Sequence, residues 1–143
     1  MIRRRPRRSR LGGLALLALL LSAGCREELG PVQYRTTRVT GIVRAGSQPV
    51  GGGWVEFHPA EGTVGNLRSA PVAPDGTFAV DRVPVGVNQV GFQDLPVDPA
   101  LGRIFHPLSS PIRRTLIEGP PARIEIDLLE EAIRFDKTRP GGA

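Results

Sequence analysis

Ala122-Arg123-Ile124-Glu125-Ile126-Asp127-Leu128 alternates apolar and polar side chains without a break. Successive side chains of a strand point to opposite faces, so this stretch reads as a strand with one face in a core and one in water. Shorter runs upstream repeat the pattern. Thr37–Arg44 puts Val39, Gly41 and Val43 on one face, with Ile42 out of step. Trp54–His58 sets Val55 and Phe57 against Trp54, Glu56 and His58. Thr77–Asp81 carries Phe78 and Val80, and Val87–Phe92 carries Val90 and Phe92. Arg68–Val72 is a weaker candidate, and Ile112–Glu118 is β-branched and apolar enough for a strand. Ala45–Pro49 is a turn. Pro74-Asp75-Gly76 is a hairpin signal, because glycine accepts positive φ without steric cost. About seven short strands with polar alternation predict an antiparallel sandwich, each sheet wet on one side. The expected core is Val39, Val43, Val55, Phe57, Phe78, Val80, Val90, Phe92, Ile124, Ile126 and Leu128.

Composition agrees. The 143 residues suffice for one ordinary domain. Glycine and proline number 18 and 14, which disfavours a helical bundle. A 40% hydrophobic content disfavours full disorder. A single cysteine rules out a disulfide framework and any multi-cysteine zinc site.

The formal charge of +5 suggests a nucleic-acid partner until its placement is considered. Six of the 19 basic residues are Arg3, Arg4, Arg5, Arg7, Arg8 and Arg10, and no acid precedes Glu27. Beyond residue 24 there are 13 basic and 14 acidic residues, with no basic patch or aromatic stacking platform, so no nucleic-acid role is expected.

The first 24 residues have the three parts of an export signal: a positive segment to Arg10, the uncharged run Leu11–Leu21, and small residues before Cys25. Eleven residues are too short for the ~20 of a spanning helix. Arg7-Arg8 raises a twin-arginine export route, but Arg10 falls where that motif wants apolar residues, which leaves general export. Leu21-Ser22-Ala23-Gly24-Cys25 resembles the lipobox of bacterial lipoproteins. The resemblance implies a diacylglyceryl thioether on Cys25, cleavage before it and acylation of the new amine. Ser22 departs from the commonest choice, leucine, which stands one place earlier as Leu21. Residues 25–36 then form a short tether. Arg26 after the cysteine resembles lipoproteins sent on to the outer membrane, facing the periplasm.

Val39-Thr40-Gly41-Ile42-Val43, Pro49-Val50, Val55-Glu56-Phe57, Pro74-Asp75-Gly76-Thr77-Phe78 and Gly86 before Val90 together resemble the carboxypeptidase regulatory-like domain. The likeness runs from about Thr37 to Leu128, closest to small bacterial lipoproteins built from one such domain. It implies an all-β fold, a seven-stranded antiparallel Greek-key sandwich of the transthyretin (prealbumin) type. In those lipoproteins a proline-rich segment precedes the last two strands, and His106-Pro107 to Ser110-Pro111-Ile112 stands there. Where the family has Pro-Gly-x-Tyr before its fifth strand, this chain has Val85-Gly86-Val87-Asn88. Asn88 then faces inward and bonds backbone in the core, or the strand begins later. Residues 129–143 lie outside the likeness: Leu128–Phe135 adds a short helix or extends the strand, and residues from Lys137 on fray.

Chemistry-bearing constellations are scarce. There is no Gly-x-Ser-x-Gly, His-Glu-x-x-His, P-loop or dinucleotide-binding glycine pattern. The hydroxyisourate-hydrolysing branch of the transthyretin-like fold uses paired histidines, an arginine and a terminal Tyr-Arg-Gly-Ser, where residues 139–143 read Arg-Pro-Gly-Gly-Ala. His58 and His106 would need Asp94 or Asp98 to complete a metal site, and read otherwise as surface or strand-end histidines. Two carboxylates four apart are too few for calcium. No cofactor or metal is expected.

The expected role is a non-catalytic, lipid-anchored structural or interaction module of the bacterial cell envelope, with an envelope protein or glycan as partner. The rival is a carbohydrate-binding module stacking sugar on Trp54 or Phe105; the bland reading of Trp54 is half-buried packing. The contact region is expected in the connection Gln93–Pro107, with Asp94, Asp98, Arg103, Phe105 and His106. Fifteen residues exceed the usual ~4–6 of a connection. The competing reading has the same segment capping the sandwich with Leu101, Ile104 and Phe105.

Overall fold

The computed structural model describes residues 33–138, which form two four-stranded sheets with two short helices. The first sheet contains β1 (Thr36–Ala45), β2 (Gln48–Pro49), β5 (Thr77–Pro84) and β8 (Ala122–Asp127). The second runs β4 (Arg68–Pro71), β3 (Trp54–Pro59), β6 (Gly86–Gln93), β7 (Arg113–Leu116). Helix α1 is Pro99–Ile104 and α2 is Leu128–Thr138. The export signal, Cys25 and most of the tether lie outside the described residues, as do residues 139–143.

The inward faces follow from the alternation. Val39 and Val43 of β1, Phe78 and Val80 of β5 and Ile126 of β8 join Val55, Phe57, Val90 and Phe92 in one buried cluster. Leu128 belongs to it as well. Ile124 is only partly buried and packs at its margin. Val50, Ala70, Val72, Val83, Phe105, Ile112 and Leu116 complete the cluster.

Two expectations need correcting, and one left open is decided. The sandwich is not wholly antiparallel, since β8 pairs with β1 in parallel, Val39 opposite Ala122 through Arg44 opposite Asp127. The turn at Pro74-Asp75-Gly76 forms, with Gly76 at φ 82° and its N–H donating to the Ala73 carbonyl at 2.8 Å. It joins the two sheets, however, and no ladder forms across it: β4 pairs with β3 and β5 with β1. The segment after Asp127 is the helix α2, with Leu128 as its first residue.

Asn88 keeps its place in β6, opposite Arg114 and Pro59. It is fully buried, and its Nδ2 donates to the carbonyls of Pro84 (2.8 Å) and Gly86 (3.1 Å). The amide thus ties the β5–β6 turn from inside the core.

Helix α2 is tied at both ends of its first turn. The Asp127 carboxylate accepts from the N–H groups of Leu129 (2.9 Å) and Glu130 (3.4 Å), and from Gly46 (3.0 Å) in the β1–β2 turn. One turn on, buried Glu131 accepts from Arg114 of β7 at 2.6 Å. Partial burial alone would raise the Asp127 pKa, but the three backbone donors and the Arg44 charge outweigh it and hold it below 3.8. Asp127→Ala should cost about 1 kcal/mol, the usual worth of an N-cap, read as a lower denaturation midpoint. Because the folded pKa is depressed, this contribution is complete above the unfolded value of 3.8 and is lost as pH falls through the folded one. The wild type and the variant should therefore converge in stability under strong acid.

Candidate functional site

The strand directions give the sandwich two unlike ends. β1 leaves Gln33 and runs away from it, so the chain enters at the end formed by the turns 60–67, 84–86 and 117–121. The turns 45–53 and 72–76, the connection after Gln93 and the start of α2 lie at the other end.

At that distal end is a cleft of about 670 Å³. Phe92, Leu95, Val97, Leu101, Phe105 and Leu128 supply apolar walls, and Asp94, Arg103, His106 and Ser109 supply polar groups. A volume of this order suits a small ligand or a few side chains of a partner.

The connection Gln93–Pro107 builds most of this cleft, and it is less irregular than its length suggests. Asp98 caps α1, its carboxylate accepting from the Ala100 N–H at 2.7 Å, with Pro99 in the first turn. Asp-Pro is an N-terminal helix signal, and it could have located α1 from sequence. The chain then returns to the sheet, where the Phe92 N–H donates to the Phe105 carbonyl at 2.8 Å. Beyond it Pro107 lies against Gly91, and Gln89 donates to the carbonyls of Pro107 and Ser110, both at 3.0 Å.

The expected contact residues therefore separate by role. Phe105 is 2% exposed, and its ring packs in the core. It offers no face for stacking a sugar, which corrects that expectation. Asp98 is engaged as a helix cap. Asp94, Arg103 and His106 are exposed on the cleft lining. The segment both caps the sandwich, through Phe105, Leu101 and Ile104, and presents polar groups to solvent.

Trp54 is 47% exposed at the distal end of β3, opposite Gln93 and Pro71. His58 bonds its strand neighbour Glu56 at 2.8 Å on the outer face of the second sheet. Among the described residues no cluster of three histidines, cysteines or carboxylates could hold a metal ion.

No family model, no curated protein and no solved structure matches this chain. What the distal cleft can do is read from its own geometry: an apolar floor flanked by a cation, a carboxylate and an imidazole, held on a rigid sandwich.

Proposed function

We propose that this protein is a lipid-anchored, non-catalytic interaction module of the bacterial cell envelope, joined to its membrane through Cys25 and binding a partner in the distal cleft. The supporting observation is the opposition of the two ends. The described domain begins at Gln33, eight residues after Cys25, while the cleft opens at the far end of the sandwich. A strand of ten residues at ~3.3 Å each separates the ends by roughly 30 Å. A lipid at Cys25 thus tethers the domain by the end opposite the cleft. The fold we assign is the seven-stranded, transthyretin-like Greek key of the carboxypeptidase regulatory-like domain, with β2 as an accessory ladder of two residues. The two four-stranded sheets and the interior placement of the motif residues Val39, Val43, Val55, Phe57 and Phe78 support that assignment. The compartment we favour is the periplasmic face of the outer membrane.

Replacing the whole connection is not a clean test, because Phe105 would leave the core. The paired variant Arg103→Ala/His106→Ala changes only exposed side chains. It should melt with the wild type and lose the partner that co-purifies with wild-type chain from its own envelope. Retention of that partner would remove the cleft from consideration.

A second reading, display of a carbohydrate-binding face, has one specific observation in its favour, the exposed indole of Trp54 beside Gln93. Trp54 is the chain's single tryptophan, so its emission reports glycan stacking directly. A shift on adding envelope glycans, absent in Trp54→Ala, would favour this reading over a protein partner.

A further inference from the structure

At the chain-entry end, three large apolar side chains are left in water. Val64 and Leu67 stand on the β3–β4 turn, and Ile117, 73% exposed, follows β7. Tyr34 and Arg35 link the two sites: Tyr34 Cε2 and the Pro84 ring lie beside Gly65, and Arg35 bonds Glu118 at 2.8 Å. Charges of both signs flank this apolar band, and the acids Glu61, Asp81 and Glu118 are each paired with an arginine. A bulge in β5, where Thr37 and Val39 face Val83 and Val80, leaves Arg82 exposed next to Asp81. Arg68 sits beside it, its Nε donating to the Arg82 carbonyl at 3.2 Å. Neither Arg68 nor Arg82 has a carboxylate partner among the described residues.

We propose that this end of the sandwich rests on the lipid surface itself, with Val64, Leu67 and Ile117 in the headgroup layer and Arg68 and Arg82 against anionic headgroups. The inference builds on the Cys25 anchor proposed above. Chain length makes the lipid the occupant. Eight peptide steps from Cys25 to Gln33 span at most ~28 Å fully extended. Every slack conformation of that tether brings this end closer, and its effective concentration at the bilayer is correspondingly high. Apolar side chains beside two arginines that lack carboxylate partners suit an interface of acyl chains and anionic headgroups. Docking would also fix the direction of the domain, holding the distal cleft away from the membrane.

The test uses the full-length lipidated chain in vesicles of phosphatidylethanolamine and phosphatidylglycerol containing a lipid with a shallow nitroxide. Acylation occupies the only native thiol, so Ile117→Cys provides one site for a fluorophore. Trp54, at the distal end, is the internal control. Docking predicts that the label at 117 is quenched while Trp54 emission is not. Adding Val64→Ser and Leu67→Ser should relieve the quenching without changing the melting temperature. Palmitate incorporation is measured on the same sample. With palmitate present, an unquenched label, or equal quenching of label and Trp54, overturns the docking and leaves the anchor standing. If the label is protected in native envelopes and unquenched in pure vesicles, a protein covers this face and the lipid proposal falls. Absence of palmitate overturns both readings.

Discussion

Cys25→Ser should abolish fatty-acid labelling and leave the chain either as uncleaved precursor or as soluble protein. The effect is expected to be all or none. The apolar run Leu11–Leu21 is too short to span, and among the described residues no helix is long and apolar enough to cross a membrane. In the proposed reading anchoring falls to the acyl chains, at ~0.8 kcal/mol for each buried CH₂. One chain of myristoyl length binds only marginally, whereas two or more hold a protein stably. On the proposed anchor, loss of the thiol removes the diacylglyceryl group and, with it, the cleavage that would expose the amine for a further acyl chain. The apolar band at the entry end is too small to replace them. Palmitate labelling followed by fractionation checks the prediction, and continued labelling of Cys25→Ser would refute the anchor.

Phe78→Ala should destabilise the domain by about 3–5 kcal/mol, the range for emptying a buried phenylalanine site. Phe78 is 6% exposed, its ring 6.3 Å from that of Phe57 and tilted by 50° to it. The pair spans the two sheets, β5 to β3, so its loss weakens the contact that makes the sandwich. The ring also occupies the space left by Gly41, where an added Cβ would come within 2.5 Å of Phe78 Cζ. A void there is bordered by backbone in β1 and cannot close by a rotamer change. Against a typical total of 5–15 kcal/mol, this loss brings the domain near unfolding at ambient temperature. Denaturant titration would measure it. A change under ~1 kcal/mol would mean that the Phe57–Phe78 contact carries little of the stability.

The strands were legible because alternation is a local property. Val55 and Phe57 between Trp54, Glu56 and His58 declare an inner and an outer face whatever the partner strand, and both do enter the core. The turn at Pro74-Asp75-Gly76 was legible for the same reason, since positive φ at Gly76 is a matter for one residue. Periodicity is silent on which strand lies beside which. The hydrogen bonds that pair β8 with β1 in parallel join residues about eighty apart in sequence, and backbone donors and acceptors are the same in every strand. Helix α1 was masked by proline, which reads as a loop signal unless Asp98 before it is recognised as a cap.

The candidate site divides along the same line. Sequence alone placed Asp94, Asp98, Arg103, Phe105 and His106 in one long connection, because length and mixed polarity are visible there. Only the tertiary structure buried Phe105 beneath the cleft, gave Asp98 to a helix terminus and left Arg103 and His106 at the rim. Only the strand directions put that cleft at the end opposite Gln33. The reason is that alternation along one strand chooses the face a side chain takes, whereas its neighbours, its burial in a loop and the end of the molecule it occupies depend on how distant strands pair to bury their apolar faces together.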